Sequence, residues 1–151
     1  MTIHSRVGPE DFDPAEELAA LERLGGGAVA SFTGLVRGGD GLTTLRLDHY
    51  PAMTEAQVTR IAAEAASRWP LLGIRIVHRI GTLEPGDRIV FVGTASAHRR
   101  VALESCAFLI DWMKSHAPFW KKESFADGRE RWVEAKAEDV VKADAWAAFH
   151  N

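Results

Sequence analysis

The chain has 151 residues, is 46% hydrophobic and 26% charged, and carries a formal net charge of −3. That size and composition predict one soluble globular domain over residues 1–151, long enough to bury a core. The acidic balance excludes a general nucleic-acid binder, which carries a basic surplus or stripe, so an anionic ligand has to be met by local charge. A single cysteine, Cys106, cannot build a disulfide framework and points to a reducing compartment, by default the cytoplasm. Residues 1–17 lack the apolar run and small-residue cleavage site of a secretory leader. No segment reaches bilayer-spanning length, so neither secretion nor a membrane is expected.

In chain order, Asp13, Pro14 and Glu16 supply an N-cap, a first-turn proline and a capping-box acid for a short helix, which Gly25, Gly26 and Gly27 stop. Residues 28–34 are an apolar, β-prone run. A glycine-rich turn at Gly38, Gly39 and Gly41 leads to residues 43–50, where Leu45, Leu47 and His49 alternate, and the two runs read as paired strands. Thr54 and Gln57 form a second capping box ahead of Val58, Ile61, Ala62, Ala65 and Trp69 at helical spacing, which Pro70 ends. Ile74, Ile76, His78 and Ile80 then alternate with Arg75, Val77 and Arg79. Glu84-Pro85-Gly86-Asp87 turns that strand into residues 88–95, a hairpin.

Ser96 is the expected cap of a longer helix with Ala102, Cys106, Leu109, Ile110 and Met113 on one side and Pro118 as its stop. Strands over residues 119–125 and 131–135 flank Asp127-Gly128, and a short helix follows around residues 140–149. The sum is an α+β fold with mainly antiparallel pairing.

Positive charge concentrates in residues 98–122, where five lysines and arginines stand against Glu104 and Asp111. His98, Arg99 and Arg100 open the long helix, where free backbone amides and the helix dipole favour an anion such as phosphate. The plain alternative there is a solvated polar helix start. Lys114, in the last turn, is where the dipole favours a cation in any protein. Lys121 and Glu123 project from one face of the next strand and Lys122 from the other. One strand lysine is ordinarily a solubilising residue. Here Phe119 and Trp120 anchor the backbone, a neighbouring cation lowers a lysine's pKa into a useful range, and Glu123 is a candidate to orient Lys121.

A continuous helix separates His98 from Lys114 by about 24 Å, at about 1.5 Å per residue, too far for one small ligand. With no internal glycine or proline to break that helix, the expected solution is a symmetric dimer in which His98 and Arg99 of one protomer meet Lys114 and Lys121 of its partner. The remaining motifs are weak. Cys106 shares an apolar helix face and reads as buried. The six histidines show no metal-ligand spacing, so neither a metal nor a cofactor is expected. The glycines after Arg37 fit no nucleotide-binding loop, although Arg37 itself is a candidate anion contact. His49 and His78 read as core or interface histidines.

Several ordered motifs carry a family resemblance. Phe32-Thr33-Gly34-Leu35-Val36-Arg37, Asp48-His49-Tyr50-Pro51-Ala52-Met53-Thr54-Glu55 and His78-Arg79-Ile80-Gly81 resemble the molybdopterin synthase catalytic subunit. So do Pro85-Gly86-Asp87, residues 92–99, Ala117-Pro118-Phe119-Trp120-Lys121-Lys122-Glu123 and Arg131-Trp132-Val133-Glu134-Ala135. The resemblance runs from about residue 27 to residue 136. It implies an α/β hammerhead fold and a homodimer within a heterotetramer that includes a small ubiquitin-like sulfur-carrier subunit. It also implies sulfur transfer from the carrier's C-terminal thiocarboxylate to cyclic pyranopterin monophosphate. The sulfur arrives already activated, which accounts for the missing cysteine nucleophile.

By the same resemblance Lys114 and Lys121 are the catalytic lysines, and Arg37, His98 and Arg99 belong to the anion pocket. Phe32 packs beside it, and Glu123 supports Lys121. Two departures stand out. The turn after Arg37 is shorter than is usual, and Lys136 occupies a position where arginine is common, a difference that matters at a bidentate phosphate contact. Two rival readings are a non-catalytic module for a ubiquitin-like tail or anionic metabolite, and a cyclic-phosphate hydrolase using His98. The second lacks a well-placed second base and a metal motif.

Overall fold

The computed structural model describes residues 1–133 and 136–148. Strand β1 (Thr2–Gly8) and helix α1 (Pro14–Glu22) lead into β2 (Ala28–Leu35) and β3 (Leu42–His49). Helix α2 (Pro51–Arg68), strands β4 (Leu71–Arg79), β5 (Gly81–Leu83) and β6 (Arg88–Ser96), and helix α3 (Arg99–Ser115) follow. The described chain closes with β7 (Phe119–Phe125), β8 (Glu130–Val133), α4 (Ala137–Ala145) and a single 3₁₀ turn at Trp146–Ala148. The strands form two four-stranded sheets, ordered β1-β4-β6-β2 and β5-β3-β7-β8. Among the described strands only β1 and β4 pair in parallel, so the arrangement is α+β and mainly antiparallel, as expected.

Alternation decides how the first sheet is covered. Ile74, Ile76, Val90 and Val92 point to one face and are buried under α2 and α3, which contribute Val58, Ile61, Ala65, Ala102, Cys106 and Leu109. Val77, Phe91 and Ala95 point to the other face, where Phe12 and Leu21 of the α1 region cover them. Arg75 on that face is neutralised by Glu17 of α1 at 3.1 Å. The second sheet is thinner, with Leu45, Leu47, Leu83 and Val36 as its core. Trp69 closes the α2 end, edge-on to Phe108 and Trp146, with its indole N–H donated to Glu104.

Several expectations are corrected. The strands before and after the glycine-rich turn do not pair: β2 pairs with β6 and β3 with β5 and β7, so the turn, with positive φ at Gly39, Asp40 and Gly41, carries the chain from one sheet to the other. Alternation shows which face is apolar and not which neighbour supplies the hydrogen bonds. The hairpin of β4 and β6 exists, but β5 between them leaves it for the second sheet.

Helix α2 starts at Pro51, with Thr54 fully buried inside it, because a proline at N1 begins the helix before the supposed capping box. Helix α3 is capped at His98, and Ser96 belongs to β6, its hydroxyl donating to the His98 carbonyl. Strand β1 was not foreseen. The predicted C-terminal helix is α4, beginning earlier, and Ala135 and Phe149, the ends of two predicted elements, lie outside the described residues.

Gly26 and Gly27 run against the junction of β6 and α3 so closely that a Cβ on Gly27 would lie 2.4 Å from the Ala97 carbonyl oxygen, a backbone atom that cannot swing aside. Gly27→Ala is expected to lower the unfolding free energy by about 1–3 kcal/mol. Urea unfolding checks it, and an unmoved midpoint would show that the junction has room to spare.

Candidate active site

The turn between α3 and β7 builds the site. His116 N–H and Ala117 N–H both donate to the Trp112 carbonyl (2.8 and 3.2 Å), and Pro118 then forces the chain out of the helix into β7. Lys114 from the last helical turn and Lys121 from the new strand thereby share one cleft of about 760 Å³. Phe32, Arg37, Glu123 and Lys136 also line it. Arg37 is set at the rim because Val36 is clamped to the turn before β6, donating to the Asp87 carbonyl and accepting from Gly86 N–H, both at 2.9 Å. The Lys114 ammonium lies 5.7 Å from the centre of the Phe32 ring, a cation–π contact that accounts for an aromatic residue there.

The strand pleat sorts the neighbouring residues as predicted. Lys121 and Glu123 face the cleft, whereas Lys122 turns away to pair with Glu130 at 2.9 Å and lie over Trp132. The expected role of Glu123 is corrected. Its carboxylate is held by Arg131, directly opposite on β8, with an Nε–Oε1 distance of 3.0 Å, so it is committed to that guanidinium and not to Lys121. The carboxylate that acts electrostatically on Lys121 is Asp139 of α4. Of the expected aromatic anchors, Phe119 is one and Trp120 is not: Trp120 is 45% exposed and meets Tyr50 edge-on.

His98 and Arg99 stand elsewhere. Helix α3 is unbroken, and they open a separate concavity of about 710 Å³ at its far end, together with Gly27, Arg100 and Leu103. Arg100 is paired with Glu104. The fold therefore brings together Phe32, Arg37, Lys114, Lys121, Glu123 and Lys136, and leaves His98 and Arg99 apart from them within one chain.

Beneath the lysines lies a small cavity of about 30 Å³ whose lining includes His78. His78 is 4% exposed, and its ring stacks on Phe119 with centroids 3.8 Å apart and planes 13° apart. Its Nδ1 sits 2.7 Å from the Arg79 carbonyl oxygen. A carbonyl only accepts, so the proton is on Nδ1 and the lone pair on Nε2. Burial drives the imidazole down to about 3, with the Lys121 and Lys114 charges and His49 adding to the effect and the Arg79 hydrogen bond opposing it. Lys121 is also held below the ordinary lysine range, first by burial and then by the Lys114 charge, with Asp139 pulling the other way.

His78, expected as a core or interface histidine, is buried and also lies beside the lysine pair, a place the sequence pattern does not reveal. The available signal was a lone polar residue on the apolar face shared by Ile74 and Ile76. Cys106 is buried as expected, and burial pushes its thiol up to about 12, so it supplies no thiolate nucleophile at neutral pH. Among the described residues no group of histidine, cysteine and carboxylate side chains is placed to hold a metal ion. Nor is any described helix long and apolar enough to cross a membrane.

Fold and cleft together define a two-sheet α+β enzyme subunit with a cationic cleft built on a lysine pair. The family model described as MoaE protein matches residues 7–116, and the chain belongs to that family. A molybdopterin synthase catalytic subunit of Mesorhizobium japonicum is 53% identical over 145 residues, covering 93% of this chain and 91% of its own length. A solved MoaE protein from Burkholderia ambifaria superposes with a TM-score of 0.82 at 45% identity, over 97% of this chain and 99% of its own. A chain in the complex of subunits 1 and 2 of molybdopterin-converting factor from Helicobacter pylori shares the fold, with a TM-score of 0.70 at 23% identity over 89% of this chain and 90% of its own. The activity is that of a molybdopterin synthase catalytic subunit, a sulfurtransferase of molybdenum cofactor biosynthesis.

The lowered pKa of His78 fixes a stability trend. Below 6.5 the unfolded chain takes up a proton at this residue that the folded chain refuses until about 3, so its contribution is present above 6.5 and is lost as pH falls. The unfolding free energy of the wild type should fall more steeply with acidification than that of His78→Gln, by up to about 1.4 kcal/mol per pH unit. Parallel pH profiles for the two proteins would contradict a buried neutral imidazole.

Proposed function

We propose that this subunit transfers sulfur to cyclic pyranopterin monophosphate in the cleft that holds Lys114 and Lys121. The donor is the C-terminal thiocarboxylate of a small ubiquitin-like carrier, and two transfers build the dithiolene of molybdopterin. The observation that carries the reading is the pairing of Lys121 with Lys114 in a cleft where burial and like charge lower the Lys121 pKa. A lysine so placed gives up its proton more readily than an ordinary surface lysine and stabilises developing negative charge when protonated. Lys121 serves the charge and proton changes as the cyclic phosphate opens, and Lys114 positions the thiocarboxylate.

Arg37 and Lys136 at the cleft, with His98 and Arg99, hold the substrate phosphate. The unbroken α3 keeps the last two from their own chain's lysines, so the working site is composite. His98 and Arg99 come from the second protomer of a symmetric dimer. One carrier on each protomer completes a heterotetramer, and the assembly works in the cytoplasm. That the Helicobacter pylori relative is a complex of two subunits supports the carrier's place in it.

Product formation from thiocarboxylated carrier and pterin precursor tests the lysines. Lys121→Ala and Lys114→Ala are each expected to lose about 10²-fold or more in rate. Lys122→Ala, whose side chain turns away from the cleft, should stay within a few-fold at matched folding. Equal rates in all three would defeat the assignment of the site.

The composite arrangement has its own readout. A His98→Ala/Arg99→Ala variant and a Lys121→Ala variant, each inactive, should on re-association recover roughly a quarter of wild-type activity, because half the dimers then hold one intact site of two. No recovery from demonstrably mixed dimers would place the phosphate contacts within one chain.

A further inference from the structure

Glu123 is bound to Arg131, and Asp139 reaches the cleft from α4, so neither rigidly holds the Lys121 amine from its own strand. The small cavity beneath it is more informative. Among the described residues lining it, His78, Lys114 and Lys121 alone carry polar side chains. Two of those are ammonium groups that only donate, which leaves His78 as the side-chain acceptor. Its Nδ1–H is committed to the Arg79 carbonyl at 2.7 Å, so the lone pair on Nε2 is the one free to accept. A flip of the ring would break the Nδ1 hydrogen bond to the Arg79 carbonyl. One face stacks on Phe119, which also lies against His49 and is fixed by its N–H to the Ala117 carbonyl and by its pairing with β3.

We propose that His78 is a positioning residue for Lys121: a neutral imidazole whose Nε2 accepts from the Lys121 amine through one water in the cavity that both residues line. The cavity has space on the order of one or two waters, which sets how far apart the groups can be bridged. The inference rests on the reading of Lys121 as the acid–base group of sulfur transfer. A neutral acceptor suits that role better than a carboxylate. An ion pair would raise the lysine's pKa and hold its proton, whereas imidazole orients the amine without adding negative charge. Because both –NH₃⁺ and –NH₂ carry donors, the same hydrogen bond survives when Lys121 gives up its proton. Among the described residues, the groups facing Lys121 are Lys114 from α3, Asp111 of α3, which accepts from the Trp146 indole, His78 from β4, Asp139 from α4, Arg37 beyond β2, Lys136 ahead of α4, and Glu123 neutralised by Arg131. Those facing His78 are Lys121, Lys114 and His49.

The test begins with the wild-type chain. Nitrogen NMR of His78 should show a neutral ring with its proton on Nδ1. A proton on Nε2 at neutral pH leaves no acceptor and overturns the proposal. Titration of isotopically labelled lysine then reads Lys121 in two variants. His78→Phe keeps a ring for Phe119 but removes the acceptor, and should lower the Lys121 midpoint by about half to one pH unit. His78→Gln, which retains an acceptor, should return it toward the wild type. In sulfur transfer, His78→Phe should lose about 10- to 100-fold in kcat with little change in KM for the pterin precursor, and His78→Gln should recover most of that loss. An unmoved Lys121 midpoint, or equal damage from both variants, overturns the role of His78. Full activity of Lys121→Ala would instead overturn the reading of Lys121, and the titration would still stand on its own.

Discussion

The unbroken run of α3 governs the rest of the molecule. Its apolar face, with Ala102, Cys106, Leu109 and Met113 buried against β2 and β6, ties the helix along the first sheet without a break. A rod seventeen residues long then presents two ends, and each end has its own electrostatics. At the start, free amides and the His98 and Arg99 side chains attract anions, although arginine there works against the helix dipole until an anion is bound. At the finish, Lys114 agrees with the dipole. One polypeptide thus carries two cationic surfaces that it cannot bring to a common small ligand.

The second sheet turns the finish of that helix into a chemical environment. β7 follows immediately, and its pleat turns Lys121 inward and Lys122 outward. Lys121 sits above an apolar floor of Met113, Ile110 and Phe32, where the charged form is disfavoured, and beside a second cation that disfavours it further. An anion entering such a cleft would relieve both effects. The site is therefore electrostatically unfavourable when free and favourable when filled, in a chain whose overall charge is −3.

The same organisation explains what the protein lacks. Its cysteine is packed against the Val92 carbonyl in the core and stays a thiol, which leaves a sulfurtransferase without a sulfur nucleophile of its own. On the proposed function, sulfur delivered as a thiocarboxylate by a partner removes that need. The subunit is left to bind, align and move protons, tasks for which lysine, arginine and a neutral histidine are suited.

The sequence by itself determined the local periodicities and the chemistry. Helix faces such as Ala102, Cys106 and Leu109, the cap at Asp13, the opposite facing of Lys121 and Lys122, and the distance along α3 all follow from 3.6-residue and two-residue repeats. The ordered motifs identified the family. Partnership was what only tertiary structure decided. β2 and β3 look like neighbours and belong to different sheets; Glu123 looks free for Lys121 and is taken by Arg131; His78 looks like core and lies against the lysine pair. The reason is common to all three. A residue's own pattern fixes which way it points, but what it meets depends on segments far along the chain, and those meet only when the two sheets and α3 pack together.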